Sequence, residues 1–232
     1  MVEPSDQSFG SCREVVVTAH GWLSNRRSMN PLSAALRDAG FHCINWGYPS
    51  LRGSITHHAA RLSGLLSDLV SDSSVERIHL VTHSMGGIIA RAALLRSRLE
   101  ARQAEKCGSF VMMAPPNAGS VLTRIPLGPF SGWFPQLAEL SEHPQSLVNQ
   151  LPEPRRMRVS VIAASRDFVV STRSTHLKCQ REHAVIPTSH QRLACHPDAI
   201  RMAVDFVDAG RREIPVIRSL PFAIPLASSR AA

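Results

Sequence analysis

The chain has 232 residues, 44% apolar and 19% charged, which suits one large folded domain over 1–232 and excludes a disordered chain. Lys plus Arg is 26 against 18 Asp plus Glu, a formal charge of +8. The basic residues are scattered, and with 8 Phe, 3 Trp and 1 Tyr there are few stacking platforms, so nucleic acid is not an expected partner.

Val15–Thr18 reads as a compact strand that leaves through Ala19-His20-Gly21. Ser28–Ala39 carries Met29, Leu32, Ala35, Leu36 and Ala39 at helical spacing, closed by Gly40. Phe41–Trp46 is a second strand. Ser54 is a candidate N-cap for a helix to about Val70, with Ile55, Ala59, Leu62, Leu65, Leu66 and Leu69 on one face. Arg77–Thr82 is a third strand, followed at once by a helix from about Met85 to Arg98. Further strands are expected at Ser109–Met113, Val159–Ala163 and His183–Ile186. Pro197 opens a last helix with Ile200, Ala203, Val204 and Val207 as its stripe, and Gly210 is expected to end it. This alternation predicts an α/β fold: a mostly parallel sheet with helices on both faces and right-handed crossovers.

Two stretches break the rhythm. Residues 115–156 hold eight prolines together with Phe130, Trp133 and Phe134. That is too long for an ordinary connection, and a lid-like insertion over about 118–152 is expected, a variable surface excursion being the alternative. Residues 211–232 read as an irregular tail lying on the body or on a partner, or as a frayed end.

The most informative segment is Ile78-His79-Leu80-Val81-Thr82-His83-Ser84-Met85-Gly86-Gly87. An apolar strand runs into a small-residue turn and then a helix. A serine at such a corner presents its hydroxyl above the strand's C-terminal edge, and the helix N-terminus favours negative charge there. The segment resembles the G-x-S-x-G nucleophile elbow of the α/β-hydrolase superfamily, departing from it at Thr82, which stands in place of the first glycine. Val15 to Trp22 is similar to the His-Gly loop of the same superfamily. The resemblance implies an oxyanion hole made by the backbone N–H groups of Trp22 and Met85. It also makes His20 a brace for the loop.

A serine nucleophile needs a base, and the base needs an orienting group. In this superfamily the acid and then the base follow later strands. Asp167 follows the fifth strand and is the only carboxylate between Glu153 and Glu182. His190 follows the sixth, at the strand edge where open α/β sheets bind ligands. Eleven histidines compete. His57 and His58 precede the nucleophile, His79 lies inside a strand, and His83 adjoins Ser84, but neighbouring side chains on a tight turn diverge. His196 also follows the sixth strand and is the rival, although it precedes Pro197, where capping a helix is the simpler job.

The resemblance, to small bacterial lipases and esterases, implies a minimal six-stranded α/β-hydrolase sheet in the order 2-1-3-4-5-6. Ala114–Ser120 and Gly47–Ser50 resemble the same subgroup, the first as a border of the acyl pocket. It further implies a serine hydrolase of carboxylic acyl esters that uses Ser84, Asp167 and His190 and needs no metal or organic cofactor. Trp22, Leu122, Ile125, Leu127, Phe130, Trp133 and Phe134 are candidate walls of an apolar acyl groove, so a small-molecule or lipid acyl ester is the expected substrate. Acyl transfer and thioester or amide cleavage share the chemistry, and a non-catalytic binding protein on the same fold is the alternative from another class.

No apolar run approaches the ~18 residues that cross a bilayer, so only peripheral contact with lipid surfaces is expected. The polar first ten residues do not read as a secretory signal. The widely spaced Cys12, Cys43, Cys107, Cys179 and Cys195, with no CxxC, read as reduced thiols of a cytoplasmic protein.

Overall fold

In the computed structural model, residues 14–97, 99, 104–124 and 134–212 are described. The six strands are β1 (Glu14–Ala19), β2 (His42–Trp46), β3 (Arg77–His83), β4 (Cys107–Met113), β5 (Arg158–Arg166) and β6 (Glu182–Ser189). They form one sheet in the order β2-β1-β3-β4-β5-β6. Every neighbouring pair is parallel. The helices that cover it are α1 (Asn30–Asp38), α2 (Ile55–Ser71), α3 (Met85–Ser97) and α6 (Pro197–Arg212), with short α4 (Pro135–Glu139) and α5 (Leu147–Gln150) in the long connection.

The strand side chains alternate between two cores, as the pleat requires. Val15, Val17, Ile78, Leu80, Phe110, Met112, Val159 and Val161 pack with Ile55, Leu62 and Leu66 of α2 and Ile88 and Ile89 of α3. Val16, Val81, Val111, Met113, Ile162 and Ala164 pack with Leu32 and Leu36 of α1 and Ala199, Ala203 and Val207 of α6 on the other face. The inner strands β1, β3, β4 and β5 are therefore buried on both faces, which is why they read as apolar runs, whereas the edge strands β2 and β6 stay partly exposed.

The predicted elements are present, with local differences. The first helix begins as a 3-10 turn, Arg26–Met29, whose cap Asn25 accepts the Arg27 N–H. Pro31 then fits the first turn of α1. Ser54 caps α2 by accepting the His57 N–H at 3.0 Å. The last helix does not stop at Gly210 but continues to Arg212. That glycine serves close packing instead: a Cβ there would sit 2.5 Å from the Ser109 hydroxyl oxygen. Strand β6 extends through Pro187, which an edge strand tolerates because one side of its backbone needs no partner. Between β3 and β4 the register shifts after the Ile78–Cys107 pair, so that Leu80 faces Phe110. His79 explains the shift, since its Nδ1 accepts the Ser109 N–H at 2.9 Å and its ring leaves no room for a Cβ at Gly108.

Of the stretch expected to be lid-like, residues 125–133 lie outside the described residues, and with them Ile125, Leu127, Phe130 and Trp133. Of the C-terminal tail, 213–232 lie outside as well. The described part of the insertion is fastened to α2. Glu139, the last residue of α4, accepts the Ile55 N–H at 2.6 Å and the Thr56 hydroxyl at 3.0 Å.

Candidate active site

The β3–α3 corner is strained. Ser84 lies between the last residue of β3 and the first of α3 with φ +53°, a conformation that costs a non-glycine residue of the order of 1 kcal/mol. Its N–H donates to the Met113 carbonyl at 2.8 Å, and its carbonyl accepts the Gly87 N–H at 2.9 Å. The tight corner brings α3 against β1: a Cβ on Gly86 would lie 2.5 Å from the His20 carbonyl oxygen and 2.7 Å from that of Ala19. Thr82, where the elbow pattern has glycine, fits because Gly87 opposite it has no side chain; a Cβ there would come within 3.2 Å of the Thr82 hydroxyl oxygen.

Three residues from the ends of separate strands converge at this corner. His190 Nε2 accepts the Ser84 hydroxyl at 2.9 Å. His190 Nδ1–H donates to Asp167 Oδ2 at 2.7 Å. The side chain of Asp167 is 2% exposed and that of His190 8%, so this pair is largely shielded from water and its orientation is not averaged by solvent. The elements bring Ser84, Asp167 and His190 together although 106 residues separate the first from the last.

Met85 follows Ser84 directly, and Trp22 lies on the loop that packs against it. Gly21 packs so closely on the elbow that a Cβ there would be 2.8 Å from Ser84 Cβ, and Trp22 follows it directly. Met85 is fully buried as the first residue of α3. His20 braces the loop: its Nδ1–H donates to the Gly21 carbonyl at 2.9 Å, and its Nε2 accepts the Tyr48 N–H at 3.4 Å. Tyr48 stacks on the His20 ring at 4.3 Å and donates its hydroxyl to the His20 carbonyl. Burial pulls the His20 pKa down, which keeps the ring neutral and suited to one donor and one acceptor role.

Of the expected groove residues, Phe134 lies edge-on to Trp22, with ring centroids 5.8 Å apart. Leu122 is half-buried in the 3-10 turn Val121–Arg124, which packs against α4. Trp133 and Phe130 are outside the described residues. Segment 114–121 is tied to the Asp167 loop, the Ser120 hydroxyl donating to the Val169 carbonyl at 2.7 Å. His196 stays out of the site; its Nδ1 accepts the Asp198 N–H at 3.3 Å, in the first turn of α6. His58 Nε2–H donates to the Arg52 carbonyl at 2.7 Å. Among the described residues no group of three His, Cys, Asp or Glu gathers as a metal site. No helix there is long and apolar enough to cross a membrane.

Two contributions escape a reading of the sequence. One is His83, whose ring reaches the backbone of His190. The other is Arg91 on α3, which donates to Asn117 Oδ1 at 3.1 Å and to the Leu151 carbonyl at 2.7 Å, tying the insertion's end to the segment after β4. An arginine set among Ile88, Ile89, Ala90, Ala92, Ala93 and Leu94 was the available signal.

The sequence profile of the alpha/beta hydrolase family matches residues 16–217, and the chain belongs to that family. Among curated proteins none matches it in sequence. Several solved structures share the fold. Phospholipase PlaB from Legionella pneumophila is 16% identical with a TM-score of 0.64, the match covering 87% of this chain and 62% of that one. Aspergillus fumigatus lipase B is 15% identical with a TM-score of 0.69, covering 87% and 55%. The mature form of Bacillus licheniformis lipase BlEst2 is 13% identical with a TM-score of 0.59, covering 78% and 86%. The chain thus matches 62% of the phospholipase and 55% of lipase B, so each of those proteins has substantial parts without a counterpart here.

Proposed function

We propose that this protein is a serine hydrolase that cleaves carboxylic acyl esters through an acyl-enzyme. The observation that carries the reading is the unbroken hydrogen-bond path from Ser84 through His190 to Asp167. His190 takes the hydroxyl proton as Ser84 Oγ attacks the acyl carbon, and Asp167 stabilises the imidazolium that forms. The N–H groups of Trp22 and Met85 receive the developing oxyanion; one such donor is typically worth about 3 kcal/mol of barrier. His190 then protonates the leaving alcohol, and water activated by the same imidazole releases the acid. No metal or organic cofactor has a step in this sequence.

The substrate reading is an ester with an apolar acyl group, from a small molecule or a lipid. Phe134 against Trp22 supplies an apolar wall. Leu23 and Phe168, which follow Trp22 and Asp167 directly, are exposed. A phospholipase and two lipases among proteins of like fold add weight to this choice.

Steady-state hydrolysis of p-nitrophenyl esters from acetate to laurate tests the proposal. Turnover is expected in the wild type and a loss of roughly 10⁴-fold or more in kcat in Ser84→Ala. No turnover at any chain length, or equal turnover in the variant, would overturn it.

A further inference from the structure

His83 ends β3, one residue before the serine, and its side chain is buried. Its Nε2–H donates to the backbone carbonyl of His190 at 2.9 Å, and the two rings lie 5.0 Å apart at 48°. The same carbonyl accepts a longer bond, 3.4 Å, from the Leu193 N–H, so His83 supplies the shorter of the two. On its other side the ring meets Gly21, where a Cβ would be 3.2 Å from His83 Nδ1. One imidazole therefore lies beside Gly21, sits next to the elbow serine in the chain and is bonded to the His190 loop.

That loop needs such a contact. It follows β6, an edge strand with only β5 beside it. His190 must keep Nε2 on Ser84 and Nδ1 on Asp167 at once, and a shift of about 1 Å in such an arrangement can cost on the order of 10²-fold in rate. Burial above all, and then the field of His190, lower the His83 pKa to about 3, so near neutrality the ring is an uncharged donor.

We propose that His83 is a positioning residue: its Nε2–H clamps the His190 carbonyl and thereby keeps the His190 imidazole aligned between Ser84 and Asp167. Its effect on rate rests on the hydrolase reading; its effect on the His190 loop does not.

The test compares wild type with His83→Gln, which keeps a side-chain N–H donor, and His83→Phe, which keeps a ring without one. Expected is a fall in kcat of roughly 10- to 100-fold in His83→Phe with little change in KM, and recovery of most of it in His83→Gln. The low-field proton resonance of His190 Nδ1–H should persist in His83→Gln and broaden or vanish in His83→Phe. On ¹⁵N-histidine-labelled wild type, which needs no variant to fold, His83 should be the neutral Nε2–H tautomer down to about pH 5. An Nδ1–H tautomer, or a His190 resonance unchanged in His83→Phe, would overturn the clamp. The resonance is read whether or not the protein turns over esters; loss of Ser84-dependent turnover in the wild type would count against the hydrolase reading alone.

Discussion

Asp167 grips His190 with one carboxylate oxygen and is itself gripped by the other. Oδ2 accepts the His190 Nδ1–H at 2.7 Å, while Oδ1 accepts the backbone N–H groups of Val169 and Val170, both at 2.8 Å. All three donors need acceptors, and an asparagine has only one oxygen. With that oxygen kept by the two backbone groups, the amide NH₂ of Asp167→Asn faces His190 and forces the tautomer that cannot accept the serine proton. The variant is expected to lose about 10³- to 10⁴-fold in kcat while folding normally, checked by ester hydrolysis alongside circular dichroism.

Acid should destabilise the fold through its buried histidines. Burial lowers the pKa of His79 and of His83 to about 3, against 6.5 for the free side chain. Between those values the unfolded chain binds more protons than the folded one, so stability rises with pH across about 3 to 6.5 and falls as pH drops. Each group contributes roughly 1.4 kcal/mol per pH unit inside that window. Urea unfolding at about pH 7.5 and 5 should show a loss of a few kcal/mol at the lower pH; equal stability at both would contradict the buried, neutral state.

Two glycines should respond oppositely to alanine. At Gly86 the new Cβ meets the main-chain carbonyls of His20 and Ala19 at 2.5 and 2.7 Å, and backbone cannot rotate aside as a side chain can. Gly86→Ala is expected to cost about 2–3 kcal/mol. At Gly64, in the middle of α2, nothing lies within 4 Å of the added Cβ, and Gly64→Ala should gain about 0.5–1 kcal/mol from helix propensity. Urea midpoints of the two variants check both signs.

Glu139 caps α2 from outside the helix. Its carboxylate covers the N–H groups of Ile55 and Thr56 at the positive end of the helix. Glu139→Ala should lower stability by about 1 kcal/mol and speed hydrogen exchange at those two amides, read by NMR. Unchanged exchange there would mean that the carboxylate does not hold the insertion to α2.

Much of the fold was legible because burial on both faces writes strands as apolar runs and surface helices as periodic stripes. The elbow, Asp167 and His190 were legible for a related reason: each directly follows a strand, so the sheet itself carries it to one edge. The reach of His83 was not. Where its ring ends up depends on the path of a loop 107 residues away. Gly210 misled for a different reason. A glycine near a helix end serves equally as a left-handed cap or as a gap for a crossing strand, and only packing against Ser109 distinguishes the two. The bulge at His79 likewise depends on Gly108 and Ser109, which no pattern within β3 reveals.

The most direct measurement is intact-protein mass spectrometry after exposure to a fluorophosphonate, followed by peptide mapping. One adduct is expected, on Ser84, absent in Ser84→Ala and formed far more slowly in His190→Ala. Labelling at another residue, or at Ser84 with undiminished rate when the imidazole is gone, would contradict it.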